Sequence, residues 1–532
     1  MKTFLKFSLI ALFCFGFYLL WVDPKKIAVQ KQGHLDQILH LIADNYVDPL
    51  DLRSLEKSAL DGVFSHLDPH SVYLNAQAVQ ERNQDLSGSF SGLGVRYAII
   101  RNSLVITGVL PNSPAAKAGL EKADRIVKVN HKTIENPSVE KVKTWFKTYQ
   151  NASVDLTVFR KSLDQNLTLS IKPDEIKVPS VDTYYLLRPD LGYLRLTIFG
   201  DACYEELVNA VDHLQSEGAK KIILDLRDNG GGYLKEVLQI AEEFLPSNRL
   251  LLYTEGKHQP RQDYYTFRSG LFEDLPLAIL VNQNSASASE ILSGGLQDQD
   301  RAVLIGRRTF GKGLVQQPFE GPNGSEIVLT IAKYFMPSGR CVQKPYRAQN
   351  KEQYYKNDWT TRLKSGELTD KNKIPHDETQ IYHTLNGRKV YGGGGVIPDL
   401  FVPIEVKNPA DAFIDTLLNR QVLSNFAFLH AENLNFQLPY QNFKQIEQNL
   451  QIEDQTFKDF LQFTQTENIH MPLQLTDQQI KKVKNWLKAF TLFHIYQDQN
   501  FYFDQFLAST DPMIQKAIES FDHYQALLKP NL

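Results

Sequence analysis

The chain has 532 residues, of which 42% are hydrophobic and 22% charged, an ordinary balance for a folded globular protein. This length predicts three or four domains. The net charge of −3 gives no electrostatic case for nucleic-acid binding. Three cysteines are too few for a disulfide scaffold, and Cys203 and Cys341 are interpreted as two buried thiols, with a bond between them left open. No His or Cys cluster has metal-ligand spacing, so we expect neither a metal nor another cofactor.

The N-terminus has the layout of an export signal. Lys2 and Lys6 precede an apolar stretch over residues 7–22. No small-x-small cleavage site follows, which favours a signal anchor over residues 1–26, with the rest of the chain on the periplasmic side of the inner membrane. The alternative is a cleaved signal peptide and a soluble periplasmic protein.

Residues 27–87 are predicted to form a helical region. Apolar side chains recur three and four residues apart over residues 35–46 and 55–67. The following turn contains His70, which we interpret as a structural turn residue rather than a catalytic group.

Residues 88–175 begin with a glycine-flanked loop, Gly92 to Val95, of the kind whose backbone N–H groups can capture a terminal carboxylate. A strand, a turn with a short helix, and a second strand are predicted over residues 105–109, 113–120 and 124–130. This order of elements resembles a PDZ domain. The resemblance implies that Leu93, Gly94 and Val95 bind the C-terminus of a peptide.

Residues 176–345 alternate strands with helices, which predicts a largely parallel α/β sheet. Strands are predicted over residues 192–196, 221–226 and 275–281, and helices over residues 204–214 and 233–244. Residues 346–390 are polar and predict an exposed insertion or a long hairpin. The core pattern then resumes and ends near residue 407.

Three serines, Ser285, Ser287 and Ser289, directly follow the strand predicted over residues 275–281. A strand, a small-residue turn and a helix expose a nucleophile at a helix N-terminus, where free N–H groups and the helix dipole favour a developing anion. The residues alone do not choose among the three serines.

Lys312 is the nearest residue that can act as a general base, since no histidine lies between residues 261 and 375. Its apolar neighbours Phe310 and Leu314 favour the neutral amine. If the chain is extended here, Gln316 faces the same side as Lys312 and can accept a hydrogen bond from its amine.

Together these segments resemble the carboxyl-terminal processing, or tail-specific, proteases of the S41 peptidase family. The resemblance extends over about residues 30–407. It implies that Ser287 is the nucleophile, Lys312 the general base and Gln316 the residue that orients the lysine. It also implies a ClpP/crotonase-like α/β protease core over residues 176–407, with residues 346–390 as an insertion.

The same resemblance implies supporting roles around the dyad. Gly231 or Gly232, and the N–H of Ala288, are expected to form the oxyanion hole. Four further residues fall on family positions near the site: Arg227, Glu290, Asp298 and Thr309. Asp298 has an alternative interpretation as a helix-end or buried ion-pair residue.

Residues 408–532 are predicted to be a C-terminal helical extension. Thr476 and Gln479 form a capping box, and Asp511 before Pro512 marks a second helix start. The segment carries no recognisable nucleophile–base pair, so we expect it to take no part in bond cleavage.

The sequence therefore predicts a multidomain α/β protein with N-terminal helices, a PDZ domain, a protease core and a helical extension. The implied function is an exported serine endopeptidase with a Ser/Lys dyad that cleaves proteins near their C-termini after the PDZ domain binds them. The alternatives are an inactive PDZ scaffold that binds C-terminal peptides and a tricorn-type hydrolase with a histidine base. The expected partners are substrates with free C-termini and the membrane, through the anchor, and the sequence is compatible with a homo-oligomer.

Overall fold

The computed structural model describes residues 33–149, 152–346, 351–404, 409–436, 450–469, 475–496, 508 and 510–529. The chain divides into two compact units, Met1–Tyr73 with Arg347–Lys351, and Leu74–Tyr346 with Glu352–Leu532. The predicted signal segment, residues 1–26, lies outside the described residues. No helix in the described part of the chain is both long and apolar enough to span a membrane.

The smaller unit contains helices and the turn that contains His70. Its elements are α1 (His34–Asn45) and α2 (Leu52–Ser65), followed at the boundary by β1 (Val72–Leu74). The Asp68 carboxylate accepts hydrogen bonds from the backbone N–H groups of His70, at 2.9 Å, and Ser71, at 3.1 Å. His70 therefore lies in a turn that its neighbours hold, as the sequence predicts.

The larger unit begins with α3 (Ala76–Ser87) and a small antiparallel domain. Its sheet has the order β3-β4-β5-β7-β8, with β6 paired to β5. The elements are β2 (Ser89–Gly92), β3 (Val95–Ile100), β4 (Ser103–Val109), α4 (Pro114–Lys117), β5 (Arg125–Val129), β6 (Lys132–Thr133), α5 (Val139–Thr148), β7 (Val154–Arg160), β8 (Gln165–Ile171) and β9 (Asp174–Lys177). The two-stranded ribbon of β2 and β9 connects this sheet at both ends to the rest of the unit.

A six-stranded sheet of order β10-β11-β12-β15-β16-β21 forms the centre of the larger unit. Its strands are β10 (Val181–Arg188), β11 (Leu191–Leu196), β12 (Lys221–Asp225), β15 (Leu277–Val281), β16 (Ala302–Gly306) and β21 (Leu400–Phe401). Helices α6 (Cys203–Ser216), α7 (Leu234–Glu243) and α8 (Ala288–Asp298) follow β11, β12 and β15. All pairs except β10 with β11 are parallel, which confirms the predicted largely parallel α/β sheet.

A second, antiparallel sheet and the insertion lie beside this core. Its strands are β13 (Leu250–Gly256), β14 (Gln259–Tyr265), β17 (Leu314–Glu320) and β18 (Glu326–Phe335), with a 3₁₀ turn at Pro322–Gly324. The insertion forms α9 (Lys351–Lys364), a 3₁₀ turn at Lys371–Lys373, β19 (Ile381–His383) and β20 (Lys389–Tyr391). The insertion is predicted to be exposed, and this is wrong for residues such as Arg362, Glu367 and Leu368, which are buried.

The C-terminal helices pack in two different places. They are α10 (Pro409–Asn419), α11 (Val422–Asn433), α12 (Asp454–Thr466), α13 (Asp477–Tyr496), α14 (Pro512–Ser520), a 3₁₀ turn (Phe521–His523) and α15 (Tyr524–Leu527). The first four share one apolar cluster with Ile100 and Val105 of the small antiparallel domain. The predicted capping box at Thr476 and the predicted helix start at Asp511 are both confirmed.

Polar contacts strengthen the junction between α10–α13 and the small domain. Arg125 forms a two-pronged ion pair with Glu432, with an N–O distance of 3.1 Å. The Lys122 amine donates to the backbone carbonyl of His494 at 3.0 Å and lies 4.0 Å from the Phe436 ring centre. Since both pairs are partly withdrawn from water, they add charge-assisted and cation–π contacts to the apolar junction.

The last two helices cover the second face of the central sheet. Met513, Ile514 and Ala517 of α14 are buried in one cluster with strand residues such as Leu280 and Ile305. The opposite face of the sheet packs on α6, α7 and α8. A parallel sheet needs both faces covered, so α14 and α15 belong to the α/β core. Three more apolar residues of the predicted extension, Phe503, Phe506 and Leu507, lie outside the described residues.

We expect the packing of α13 on α11 to weaken in acid, because the His494 ring bonds Ser424 of α11 at 3.0 Å. Burial lowers the pKa of His494 to about 4, below its ordinary value. The unfolded chain takes up a proton near pH 6.5 whereas the folded chain does so only near pH 4, so stability falls as pH falls through this window, by roughly 3 kcal/mol.

His494→Gln should therefore flatten the pH dependence of urea unfolding measured between pH 7 and pH 4. His213→Gln, at a half-exposed histidine, is the matched control and should leave the wild-type slope. Identical slopes for all three proteins would contradict this origin of acid sensitivity.

Candidate active site

Ser287 lies at the point where β15 turns into α8. It is the N-cap of α8 and has φ 55° and ψ −113°, a conformation that non-glycine residues rarely adopt. The whole of α8 behind it is buried. A strained residue between a buried strand and a buried helix is held there by its surroundings, and such strain clusters at functional sites.

The structure separates the three serines that the sequence left equivalent. Ser285 and Ser289 are fully buried. Their hydroxyls donate to the backbone carbonyls of Leu226 at 2.7 Å and Asn229 at 2.9 Å. Ser287 is partly exposed. The outer two serines therefore fasten the turn to the neighbouring loop, and the middle one faces the surface.

That neighbouring loop, residues 228–232, follows β12 and lies against Ser287. A Cβ atom added to Gly231 would lie 2.8 Å from the Cβ of Ser287, so only glycine allows this approach. The Gly231 N–H already donates to Asn229 Oδ1 at 2.9 Å. Ala288 is the first residue of α8, where an N–H has no partner within the helix. The choice between Gly231 and Gly232 as the first oxyanion donor, with Ala288 as the second, stays a prediction.

Glu290 connects the turn that carries Ser287 to the lysine loop, which is residues 307–313 between β16 and β17. Its fully buried carboxylate accepts from the Thr309 hydroxyl at 2.5 Å and from three backbone N–H groups. These are the N–H groups of Ser287 at 2.9 Å, Gly311 at 2.7 Å and Lys312 at 2.8 Å. Ser287 N and Lys312 N share one carboxylate oxygen, so they lie within about 6 Å of each other.

The pKa of the Glu290 carboxyl lies above its ordinary value, because burial raises it by more than its four hydrogen bonds lower it. Three of those donors are backbone N–H groups, which cannot accept a proton or a hydrogen bond. The surroundings of Glu290 are therefore built for the carboxylate form.

Tyr334 makes a second connection between the same two segments. Its hydroxyl bonds the Lys312 carbonyl oxygen and lies 3.3 Å from the Ser287 carbonyl oxygen. Burial raises the pKa of this tyrosine well above its ordinary value, so it stays a neutral donor. No local pattern in the sequence marks Tyr334, because it lies on β18, far along the chain from both segments.

The lysine loop is also held from the side of the insertion. The guanidinium of Arg362 donates to the backbone carbonyls of Thr309, at 3.2 Å, and Arg308. The Lys344 amine lies 3.6 Å from the centre of the Phe310 ring and 2.8 Å from an oxygen of Asp358. These contacts hold the residues that precede Lys312, and they were not visible in the sequence.

Gln316 lies on β17, but Lys312 does not, so the two residues do not share one face of an extended strand as predicted. The strand begins only at Leu314, and its register with β18 is interrupted between Val315 and Gln316. The Gln316 amide donates to the Thr330 hydroxyl at 3.3 Å. That bond orients the amide.

The two remaining supporting residues have different surroundings. Asp298 is the last residue of α8, about 16 Å along the helix from Ser287 by its rise per residue. It forms a fully buried ion pair with Arg340 at 2.8 Å, which matches the alternative interpretation. Arg227 stays near the glycine loop and pairs with Asp225 and Asp511, both at 2.6 Å. Cys203 and Cys341 are free thiols; Cys203 is buried as predicted, whereas the prediction is wrong for Cys341, which is only partly buried.

The predicted carboxylate loop joins β2 to β3. The carbonyl of Leu93 accepts from Ala115 N–H, and that of Gly94 from Leu110 N–H, both at 2.9 Å. Gly94 has φ 74°, and a Cβ atom there would lie 2.2 Å from the Cβ of Ser113. The loop is thus anchored inward through its carbonyls.

Comparison with known proteins agrees with this architecture. The peptidase family S41 matches residues 190–349, a PDZ domain matches residues 91–171, and a family of unknown function (DUF8443) matches residues 413–497. A carboxy-terminal-processing protease of Bartonella bacilliformis is 34% identical over 312 residues, which are 58% of this chain and 71% of that protein. The chain belongs to the S41 family of serine peptidases.

Two further relatives show how far the likeness extends. A probable CtpA-like serine protease of Staphylococcus saprophyticus is 33% identical over 58% of this chain and 62% of its own length. A solved structure of a photosystem II D1 C-terminal processing protease is 23% identical, covers 59% of this chain and 90% of that chain, and has a TM-score of 0.33. The PDZ and peptidase segments of the S41 chain are thus followed by helices that match a family without assigned function.

Glu290→Gln should strongly destabilise the protein. The amide NH₂ would face N–H donors, so two of the four hydrogen bonds to the buried carboxylate are lost. Bonds to charged groups and buried unsatisfied donors are each worth a few kcal/mol, and we expect a loss of about 3 kcal/mol in the free energy of unfolding. Urea unfolding measures this, with the exposed Glu205→Gln as control. Equal stability of both variants would show that the carboxylate does not hold the two segments together.

Proposed function

We propose that this S41 peptidase is an exported endopeptidase that cleaves protein substrates near their C-termini with Ser287 as nucleophile and Lys312 as general base. The observation that carries the proposal is the position of Ser287. It is the partly exposed serine of three, it has a strained backbone at a helix N-terminus, and it lies against Gly231. Lysine as the base is supported by the shared Glu290 carboxylate, which binds the backbones of Ser287 and Lys312 together.

In the proposed reaction the Lys312 amine takes the proton of the Ser287 hydroxyl as the oxygen attacks the scissile carbonyl. The developing oxyanion accepts hydrogen bonds from the N–H groups of Gly232 and Ala288. Gln316 orients the lysine, and its bond to Thr330 supports this role by fixing the amide. The amine then protonates the leaving nitrogen, and a water molecule hydrolyses the acyl-enzyme by the same route.

The PDZ domain is proposed to bind the free C-terminus of the substrate through the N–H groups of Leu93, Gly94 and Val95. The inward-facing carbonyls of Leu93 and Gly94 support this, because they hold the loop rigid without using its donors. Export is supported by the basic and apolar residues at the N-terminus and by the bacterial CtpA-like relatives.

Substitution of the three serines tests the nucleophile. Ser287→Ala and Lys312→Ala should each reduce cleavage of a denatured protein with an apolar C-terminus by at least about 1,000-fold, because nucleophile and base act as one unit. Ser285→Ala and Ser289→Ala remove only a hydrogen bond of the turn and should retain measurable activity at reduced stability. Activity that survives Ser287→Ala but not one of the other two substitutions would assign the nucleophile elsewhere.

Peptide titration tests the PDZ proposal. The Ser287→Ala protein should bind an apolar peptide with a free carboxylate at least about tenfold more tightly than the same peptide with a C-terminal amide, since the amide loses charge-assisted hydrogen bonds. Fluorescence anisotropy with a labelled peptide measures both constants. Equal affinity would refute carboxylate capture while leaving the catalytic assignment untouched.

A further inference from the structure

Asp511 connects the C-terminal helices to the glycine loop of the active site. It is the N-cap of α14, and its Oδ1 accepts from the backbone N–H groups of Met513 at 2.9 Å and Ile514 at 3.3 Å. Its other oxygen, Oδ2, accepts from Arg227 Nη1 at 2.6 Å. One carboxylate therefore caps a helix and holds an arginine at the same time.

Arg227 forms ion pairs with two carboxylates, those of Asp225 and Asp511. Its Nε and Nη2 donate to Asp225, the last residue of β12, at 2.9 and 2.6 Å. Asp225 is buried and also accepts from the Tyr193 hydroxyl at 2.8 Å. Asp225 and Tyr193 belong to the sheet, whereas Asp511 comes from the chain's last helices. The position of the Arg227 side chain thus depends on both.

The backbone that follows Arg227 leads directly to the proposed oxyanion donors. Asp228 has a positive φ of 62°, and Asn229 is fully buried. The Asn229 carbonyl accepts from Ala286 N–H at 3.0 Å, and its side chain accepts from Gly231 N–H at 2.9 Å. Arg227 thus directly precedes a loop whose hydrogen bonds reach Gly231 and the turn that carries Ser287.

We propose that Asp511 is a positioning residue for the proposed peptidase, which holds Arg227 and through it the loop 228–232 in the geometry that stabilises the oxyanion. This inference rests on the proposed function. It departs from the expectation that the C-terminal extension takes no part in cleavage. Asp511 touches neither substrate nor reacting atoms, and it lies outside the segments that match known families.

Asp511→Asn in the full-length protein isolates this role. Asparagine caps helices as well as aspartate does, so α14 keeps its start. The carboxylate oxygen that faces Arg227 becomes an NH₂ group, which cannot accept from a guanidinium. We expect kcat to fall about tenfold or more with KM unchanged, because the loss falls on the oxyanion and not on substrate binding.

Tyr524→Phe is the matched control. The Tyr524 hydroxyl also ties the last helices to the sheet, through Leu277 N–H at 3.2 Å and the Arg301 carbonyl at 2.7 Å. Leu277 begins β15, whereas Ser287 follows its other end. This variant should lose a similar amount of thermal stability while its kcat stays at the wild-type value.

A double substitution shows whether Asp511 acts through Arg227. Arg227→Gln should also lower kcat, and adding Asp511→Asn to it should cause no further loss. Wild-type kcat in Asp511→Asn, an equal loss of kcat in Tyr524→Phe, or a full additional loss in the double variant would each overturn the proposal.

Hydrogen exchange separates this inference from the peptidase assignment. Amides of residues 228–232 should exchange faster in Asp511→Asn than in the wild type, and at the wild-type rate in Tyr524→Phe. This result does not require any substrate. If the wild type cleaves nothing, the proposed function fails, whereas unchanged exchange in Asp511→Asn refutes the positioning role on its own.

Discussion

The Glu290 carboxylate is the interaction on which the site depends. It lies in the first turn of a wholly buried helix and accepts from four donors that come from the turn at Ser287 and from residues 309–312. A buried carboxylate is costly unless its hydrogen bonds are satisfied. Here three of the four donors are backbone N–H groups whose positions are fixed by the chain. The hydrogen bonds that satisfy the buried charge therefore also bring Ser287 beside the lysine loop.

The strain at Ser287 follows from this arrangement. The residue could relax its positive φ only if the helix or the strand behind it moved, and both are buried on all sides. Ser285 and Ser289 add side-chain bonds to the carbonyls of the neighbouring loop. The core thus offsets a local cost of about 1–3 kcal/mol at one residue. As a result, the partly exposed Ser287 follows the carboxyl end of β15, an interior strand of the central sheet.

The C-terminal helices divide their contacts between the two functional regions. Helices α10–α13 pack on the small antiparallel domain through an apolar cluster and the ion pair between Arg125 and Glu432. Helices α14 and α15 cover the second face of the central sheet. Both regions in which we place substrate recognition and catalysis therefore rest on the part of the chain that follows the insertion. A role for the segment that matches a family of unknown function begins with this packing.

Local patterns in the sequence determined much of this protein. The order of strands and helices in the core, the capping box at Thr476 and the N-cap at Asp511 follow from periodicity and from residues with fixed backbone preferences. The family motif added the choice of Ser287, which residue types alone left open. Such features depend on neighbours in the chain, and so they are readable without a structure.

Tertiary structure decided what distant segments do to one another. Tyr334, Asn229 and Arg362 contact the site through backbone carbonyls or N–H groups. Every residue type has these groups except for the N–H of proline, so such contacts leave no pattern in the sequence. Asp298 carries a motif position but pairs with Arg340 at the far end of its helix. The sequence predicts Asp511 as a helix cap, but the bond between its second oxygen and Arg227 is visible only in the folded structure. A side chain's partner is set by the packing of the whole sheet, and that packing is not encoded in the spacing of nearby residues.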